Sequence, residues 1–384
     1  MSRQILRIGF MPIADAAILL VAARKGFDAQ AGLTLSPVRE TSWANIRDRL
    51  AVGQFDAAHL LAPMPVASAL GLMPLQVPLI APMALGLGGN AITVSRALWG
   101  EMTVALPGLA AGDPVAAGAA LRQVVARRRR AGRLAPAFAV VHAFSAHNYE
   151  LRYWLAASGL APDAEVPISI ISPPYMPAAL ENGGIDGFCV GEPWNTLAAA
   201  GGGGVVILRK ADIWRASPEK VLGFRRDWAE AHQEQVTGLI TALLAAADWC
   251  AEPGNRAELA ALLAAPDALG VPVESLAPVL DHGLTFAGNA ATFPWISHAR
   301  WFGGQMRRWG QTTAGPEALE AAARVYRPDL YRAAATLLGR NVPAVDEQPG
   351  TGGAPCLVPG TLAPLRLEPS RFFDQDAGTG LPHF

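Results

Sequence analysis

Apolar and polar positions along this chain fall into short blocks that switch between a period of two and a period near 3.6. Residues 5–10 predict a strand, and 14–25 an amphipathic helix closed by Arg24-Lys25-Gly26. Residues 33–38 predict a strand and 42–52 a helix opening at Ser42, with further strands over 56–60, 77–87 and 91–95. A second run repeats the theme, with strands over 103–106, 137–141, 166–171, 187–190 and 205–208 and helices over 114–130, 150–158 and 176–182. Such alternation predicts an α/β fold with largely parallel sheets. Residues 228–263 and 317–338 read as mostly helical. Residues 342–384 are crowded with Pro, Gly and Asp, which predicts a tail that is loosely ordered or draped over a partner.

The two α/β runs divide the chain into a discontinuous lobe I, residues 1–96 plus 214–341, and a lobe II, residues 97–213. The chain is expected to cross between them near residues 97 and 213, leaving a cleft of the kind that small ligands favour. Composition narrows the options. A formal charge of −1 leaves no electrostatic footprint for nucleic acid, and the basic run at 127–130 reads as a solvated helix face. No apolar run reaches the ~18 residues of a membrane span. Cys189, Cys250 and Cys356 are too few and too scattered for a disulfide framework or a zinc site. The residues ahead of Ile5 do not read as a secretory leader, so the expectation is a chain that works in the cytoplasm.

Several segments resemble the nitrate- and bicarbonate-binding proteins of ABC transporters, the NrtA/CmpA family. They are GFMPI at Gly9, KGF at Lys25, TSWANIRDRL at Thr41, DAAHLLAPMP at Asp56, HNYELRYWLAASG at His147, GFCVGEPWN at Gly187 and PEKVLGFRRDW at Pro218. Jointly and in order they form a strong signal. The resemblance implies a type II periplasmic-binding-protein fold: two α/β lobes, two crossovers and one small anion held between them, with a mostly helical C-terminal region. It also implies ligand contacts from Trp43, His147 and Lys220. Asn90 stands where the family has Gln, and Ala44 where it has Gly.

The chemistry suits those residue types. Nitrate is a planar monoanion with poorly hydrated faces, which asks for an aromatic flank, a few donors and one positive charge. Lys220 offers charge and up to three donors, and His147 donates from either ring nitrogen. Ser42 and Trp43 fall at a helix start, where free N–H groups favour an anion. The chain has three lysines, Lys25, Lys210 and Lys220, against 28 arginines; a lysine in so Arg-rich a chain hints that a compact ammonium is wanted. Glu192 and Trp194 lie just past a strand end and are candidates for the cleft or hinge. Arg47 and Asp48 are expected to pair with neighbours.

Three uses of such a site differ. A branch of the family resembling NasS implies a cytoplasmic nitrate or nitrite sensor that holds a NasT-type ANTAR antiterminator until ligand arrives, without touching nucleic acid or membrane itself. The alternative is the solute-binding subunit of an ABC importer for nitrate, nitrite or bicarbonate. Bicarbonate is set aside because no carboxylate cluster accompanies Trp43, His147 and Lys220 in the sequence reading. Catalysis is not expected, since no nucleophile constellation, metal spacing, nucleotide loop or cofactor motif stands out.

Overall fold

The computed structural model describes residues 4–349 and 354–374. Two five-stranded sheets carry the fold. The first runs in the order Leu33–Arg39, Gln4–Phe10, Ala57–Leu61, Lys220–Arg225, Leu79–Ala84, and the second Gly204–Arg209, Asn90–Ser95, Gly187–Gly191, Phe138–Val140, Ile168–Ile170. The α/β fold is therefore the observed one. In the first sheet Gln4–Phe10 pairs in parallel with both neighbours, whereas Lys220–Arg225 is antiparallel to both of its own. In the second, Phe138–Val140 is the parallel centre and Asn90–Ser95 the antiparallel insertion.

That arrangement positions the site. Each sheet receives one strand running against the rest, and it is the strand delivered by a crossover. Its first residue therefore lies at the edge where the parallel strands end, which is the ligand edge of an open α/β sheet. Those first residues are Asn90 and Lys220, opposite Gly191 and Leu61. Gly88 and Gly89, at φ 83° and 93°, make the bend into the first inserted strand, a conformation that L side chains resist.

Three expectations are corrected. Asn90–Ser95 belongs to the second sheet, so the chain crosses ahead of Asn90 rather than near residue 97. The strand expected at 103–106 is the end of helix Arg96–Ala105, which Ser95 caps through Leu98 N–H and which buries Leu98, Met102 and Ala105 at helical spacing. The tail, over its described residues 342–349 and 354–374, packs on its own chain. Phe372 is fully buried, 4.6 Å from the Trp214 ring, 4.3 Å from Tyr153 and 5.3 Å from Trp301. Trp214 Nε1 donates to Ser370 Oγ and Tyr153 Oη to Asp374, so the segment clamps both lobes to the return crossover. Residues 375–384 lie outside the described residues. Among the described residues no helix is long and apolar enough to cross a membrane.

Candidate functional site

Strand ends and helix starts from both lobes converge on one buried set of polar side chains. Trp43 opens helix Trp43–Ala51, 2% exposed, and its ring meets the His59 ring edge-on at 5.2 Å. His147, fully buried, is the second residue of helix Ala146–Ala157, which Ser145 caps. Lys220 Nζ lies 5.4 Å from the Trp43 ring centroid. The structure thus brings Trp43, His147, Lys220 and Asn90 together.

Ala44 and Ser42 play another part. The Ser42 side chain accepts from the N–H groups of Ala44 at 3.1 Å and Asn45 at 3.3 Å, so these amides are already satisfied. Replacing Ser42 by Ala removes that cap and is expected to lower stability by about 1 kcal/mol, read as a lower urea midpoint at unchanged slope. Glu192 and Trp194 join the lobes: Ala14 N–H donates to the Glu192 carbonyl at 2.8 Å, and Trp194 Nε1 to the Pro12 carbonyl at 3.1 Å. Arg47 pairs with Asp48 and reaches across to His142 Nε2 at 3.4 Å.

Sequence reading missed half of the cluster, and the expectation that carboxylates are lacking is corrected. Lys220 Nζ contacts Asp15 Oδ2 at 2.9 Å and Glu219 Oε1 at 2.7 Å. Asp15 also faces His59, Nε2 to Oδ1 3.1 Å. Lys210 bridges Glu150 at 2.6 Å and Glu219 at 2.5 Å and donates to the Pro218 carbonyl at 2.7 Å. Asn90 Nδ2 donates to Glu219 and Glu150, and His147 Nδ1 stands 3.3 Å from Glu219 Oε1. Three signals pointed here, the first being the scarcity of lysine, since two of the three, Lys210 and Lys220, turn out to be buried. Asp15, alone among apolar residues, and His59, in the run DAAHLLAP, were the others.

Electrostatics sort the cluster. Burial opposes ionisation of Asp15, but Lys220 and His59 outweigh it and hold the carboxyl below its usual value. Glu219 is likewise held low, burial being overcome by His147, Lys210 and Lys220. Burial pushes Glu150 up to about 7 despite Lys210, and pushes His147 down to about 3 and His59 downward, so both imidazoles rest neutral. Among the described residues, Trp43 Nε1, His147 Nε2, Asn90 Oδ1 and Ser217 Oγ are buried with no hydrogen-bond partner. Buried polar groups are rarely left so, and the unmet groups of Trp43, His147 and Asn90 are ones that a small polar ligand would satisfy.

Comparison with known proteins follows the same line. The NMT1-like family matches over residues 2–264. The nitrate/nitrite binding protein NrtA of Synechococcus elongatus is 32% identical over 368 residues, covering 89% of this chain and 80% of that protein. The nitrate import ATP-binding protein NrtC of Synechocystis is 34% identical over 354 residues, covering 87% of this chain. The chain spans about half the length of NrtC and of the bicarbonate transport ATP-binding proteins CmpC that it also matches. Among solved structures, the periplasmic nitrate-binding protein NrtA from Synechocystis superposes with a TM-score of 0.83 at 25% identity, covering 97% of this chain and 94% of that one. The aliphatic sulphonate binding protein SsuA from Escherichia coli shares the fold, with a TM-score of 0.60 at 18% identity, covering 86% of this chain and all of that one.

Proposed function

This chain belongs to the NMT1-like family, and we propose that it binds nitrate or nitrite between its lobes as a solute-binding protein serving an ABC-type importer. The observation that carries the reading is the unpartnered, fully buried donor set. Trp43 Nε1 and His147 Nε2 have nothing to donate to or accept from, and they belong to the set that holds the Lys220 ammonium. A planar oxyanion supplies several acceptors in one plane and tolerates an aromatic face against its own. The names of the relatives, nitrate and nitrite binding and nitrate import, support the same ligand class. The carboxylates found in the site remove the sequence argument against bicarbonate, so it enters the test as a competitor.

Added nitrate is expected to raise the melting temperature in proportion to the logarithm of its concentration, reaching about 2.7 kcal/mol of stabilisation at a hundredfold excess over Kd. Trp43→Phe keeps the ring but loses the indole N–H, and should weaken nitrate about tenfold, roughly 1.4 kcal/mol. His147→Ala and Lys220→Ala should abolish the shift. Calorimetry showing no heat with nitrate or nitrite, and heat with bicarbonate, would reassign the ligand.

A sensing use of the same site, in the cytoplasm and with a NasT-type antiterminator, is the finer reading. The near-balanced charge suits it, because such a sensor need not touch RNA. Binding of partner and anion would then be reciprocal. Nitrate affinity unchanged by a bound antiterminator would contradict it and leave the importer role standing.

A further inference from the structure

The buried cluster holds more carboxylate than its ammoniums balance. Asp15, Glu150 and Glu219 carry three negative charges when ionised, and Lys210 and Lys220 answer with two. Both imidazoles rest neutral, so the cluster stands at −1, or at zero while Glu150 keeps its proton. A monoanion bound here adds another negative charge where water does not reach. Buried charge without a partner is so costly that a neighbouring group takes or releases a proton instead.

The geometry gives that proton a place. Neither ring nitrogen of His147 makes a hydrogen bond, and Nδ1 already faces Glu219 Oε1 at 3.3 Å. The groups that act on it are Glu219 and Lys220 from the return crossover, Lys210 from the short helix before it, and Asp15 from lobe I; Glu150 lies one turn along its own helix. In the resting site burial and the two ammoniums keep His147 neutral, down to about 3, against the pull of Glu219 and Asp15. An anion on its other side reverses that balance. The imidazolium formed would donate from both nitrogens, to Glu219 and to the anion.

We propose that the site takes up its anion together with one proton, which comes from solvent and is held on the His147 imidazole between Glu219 and the bound ligand. This rests on the anion-binding reading above and adds its regulation. The bound state carries one proton more than the free state, so affinity rises as pH falls. Above the pKa of His147 in the complex, Kd should weaken about tenfold per pH unit.

Calorimetric titration with sodium nitrate, and separately sodium nitrite, in phosphate and in Tris at one pH counts the protons taken up, because the two buffers differ in ionisation enthalpy. About one proton per anion is expected from wild-type protein. With 15N-labelled histidine, nitrate should convert one ring from the neutral to the imidazolium pattern of nitrogen shifts. His147→Gln should lose the proton uptake, and Glu150→Gln should keep it. Should His147→Gln not fold, or not bind nitrate, the wild-type proton count and ring shifts still decide. Nitrate bound with no proton uptake overturns the proposal and leaves anion binding intact, as does uptake lost in Glu150→Gln but kept in His147→Gln. No heat from either anion overturns the binding reading and the proposal with it.

Discussion

Lys210→Ala is expected to cost about 3–5 kcal/mol of stability, among the largest effects of any single substitution in this chain. Lys210 is 2% exposed and ties Glu150, on a helix of the second lobe, to Glu219, just ahead of the strand that returns to the first. Burial works against its charge, yet the two carboxylates overcome this and raise its pKa above the ordinary value. Without it Glu150 and Glu219 share one buried region with only Lys220 nearby, so one of them must take up a proton. The check is urea unfolding of Lys210→Ala beside the double variant Lys210→Ala/Glu150→Gln. If uncompensated carboxylate is the cause, the double variant recovers part of the loss; equal stabilities for the two would assign the cost to lost packing instead.

Acid should destabilise the fold steeply below about pH 6.5. His59, His147 and His298 are fully buried, and burial lowers all three, His147 to about 3 and His298 to about 4. As pH falls below the unfolded value of 6.5, the unfolded chain binds protons that the folded chain refuses, so stability declines until the folded values are reached. Glu150 works the other way: raised to about 7 from 4.5, it binds a proton in the fold first, which favours the fold over that interval. His142, lowered to about 4 by burial and Arg47, adds a fourth ring, and Glu192, raised by burial, adds a second carboxyl on the other side, so about two protons remain, on the order of 3 kcal/mol per pH unit well below 6.5. Asp15 and Glu219, held low in the fold, extend the loss below their ordinary values of 3.8 and 4.5. Unfolding measured from pH 7 to 5 tests the slope, and His298→Gln should flatten it by about one proton. A stability unchanged over that range would contradict the neutral burial of these rings.

The legible part of the site came through the family resemblance, carried by the segments around Trp43, His147 and Lys220. Local pattern added the helix start at Ser42 ahead of Trp43, whereas the strand that Lys220 opens and the helix turn that holds His147 appear only in the structure. Asp15 and His59 left little trace, because a single polar residue in an apolar run reads as an ordinary helix start or strand end. Glu219 adjoins Lys220 in sequence, and neighbours on a strand point to opposite faces. Glu219 lies just ahead of the strand, however, and both side chains reach one cluster. The boundary at residue 97 was misplaced for a related reason: strand periodicity reports a strand, not the sheet it joins.

The amino-acid sequence by itself determined most of the alternation of strands and helices and the helix start at Ser42, because these depend on interactions between near neighbours; Trp43, His147 and Lys220 entered as candidates through the family resemblance. Only the tertiary structure decided that Asp15 meets Lys220 across 205 residues, that Lys210 binds the lobes through Glu150 and Glu219, and that Phe372 seals the return crossover. Such contacts arise where two inserted strands run against their sheets and bring distant chain segments into one space without water. There the need to balance buried charge, which no local pattern encodes, selects the partners.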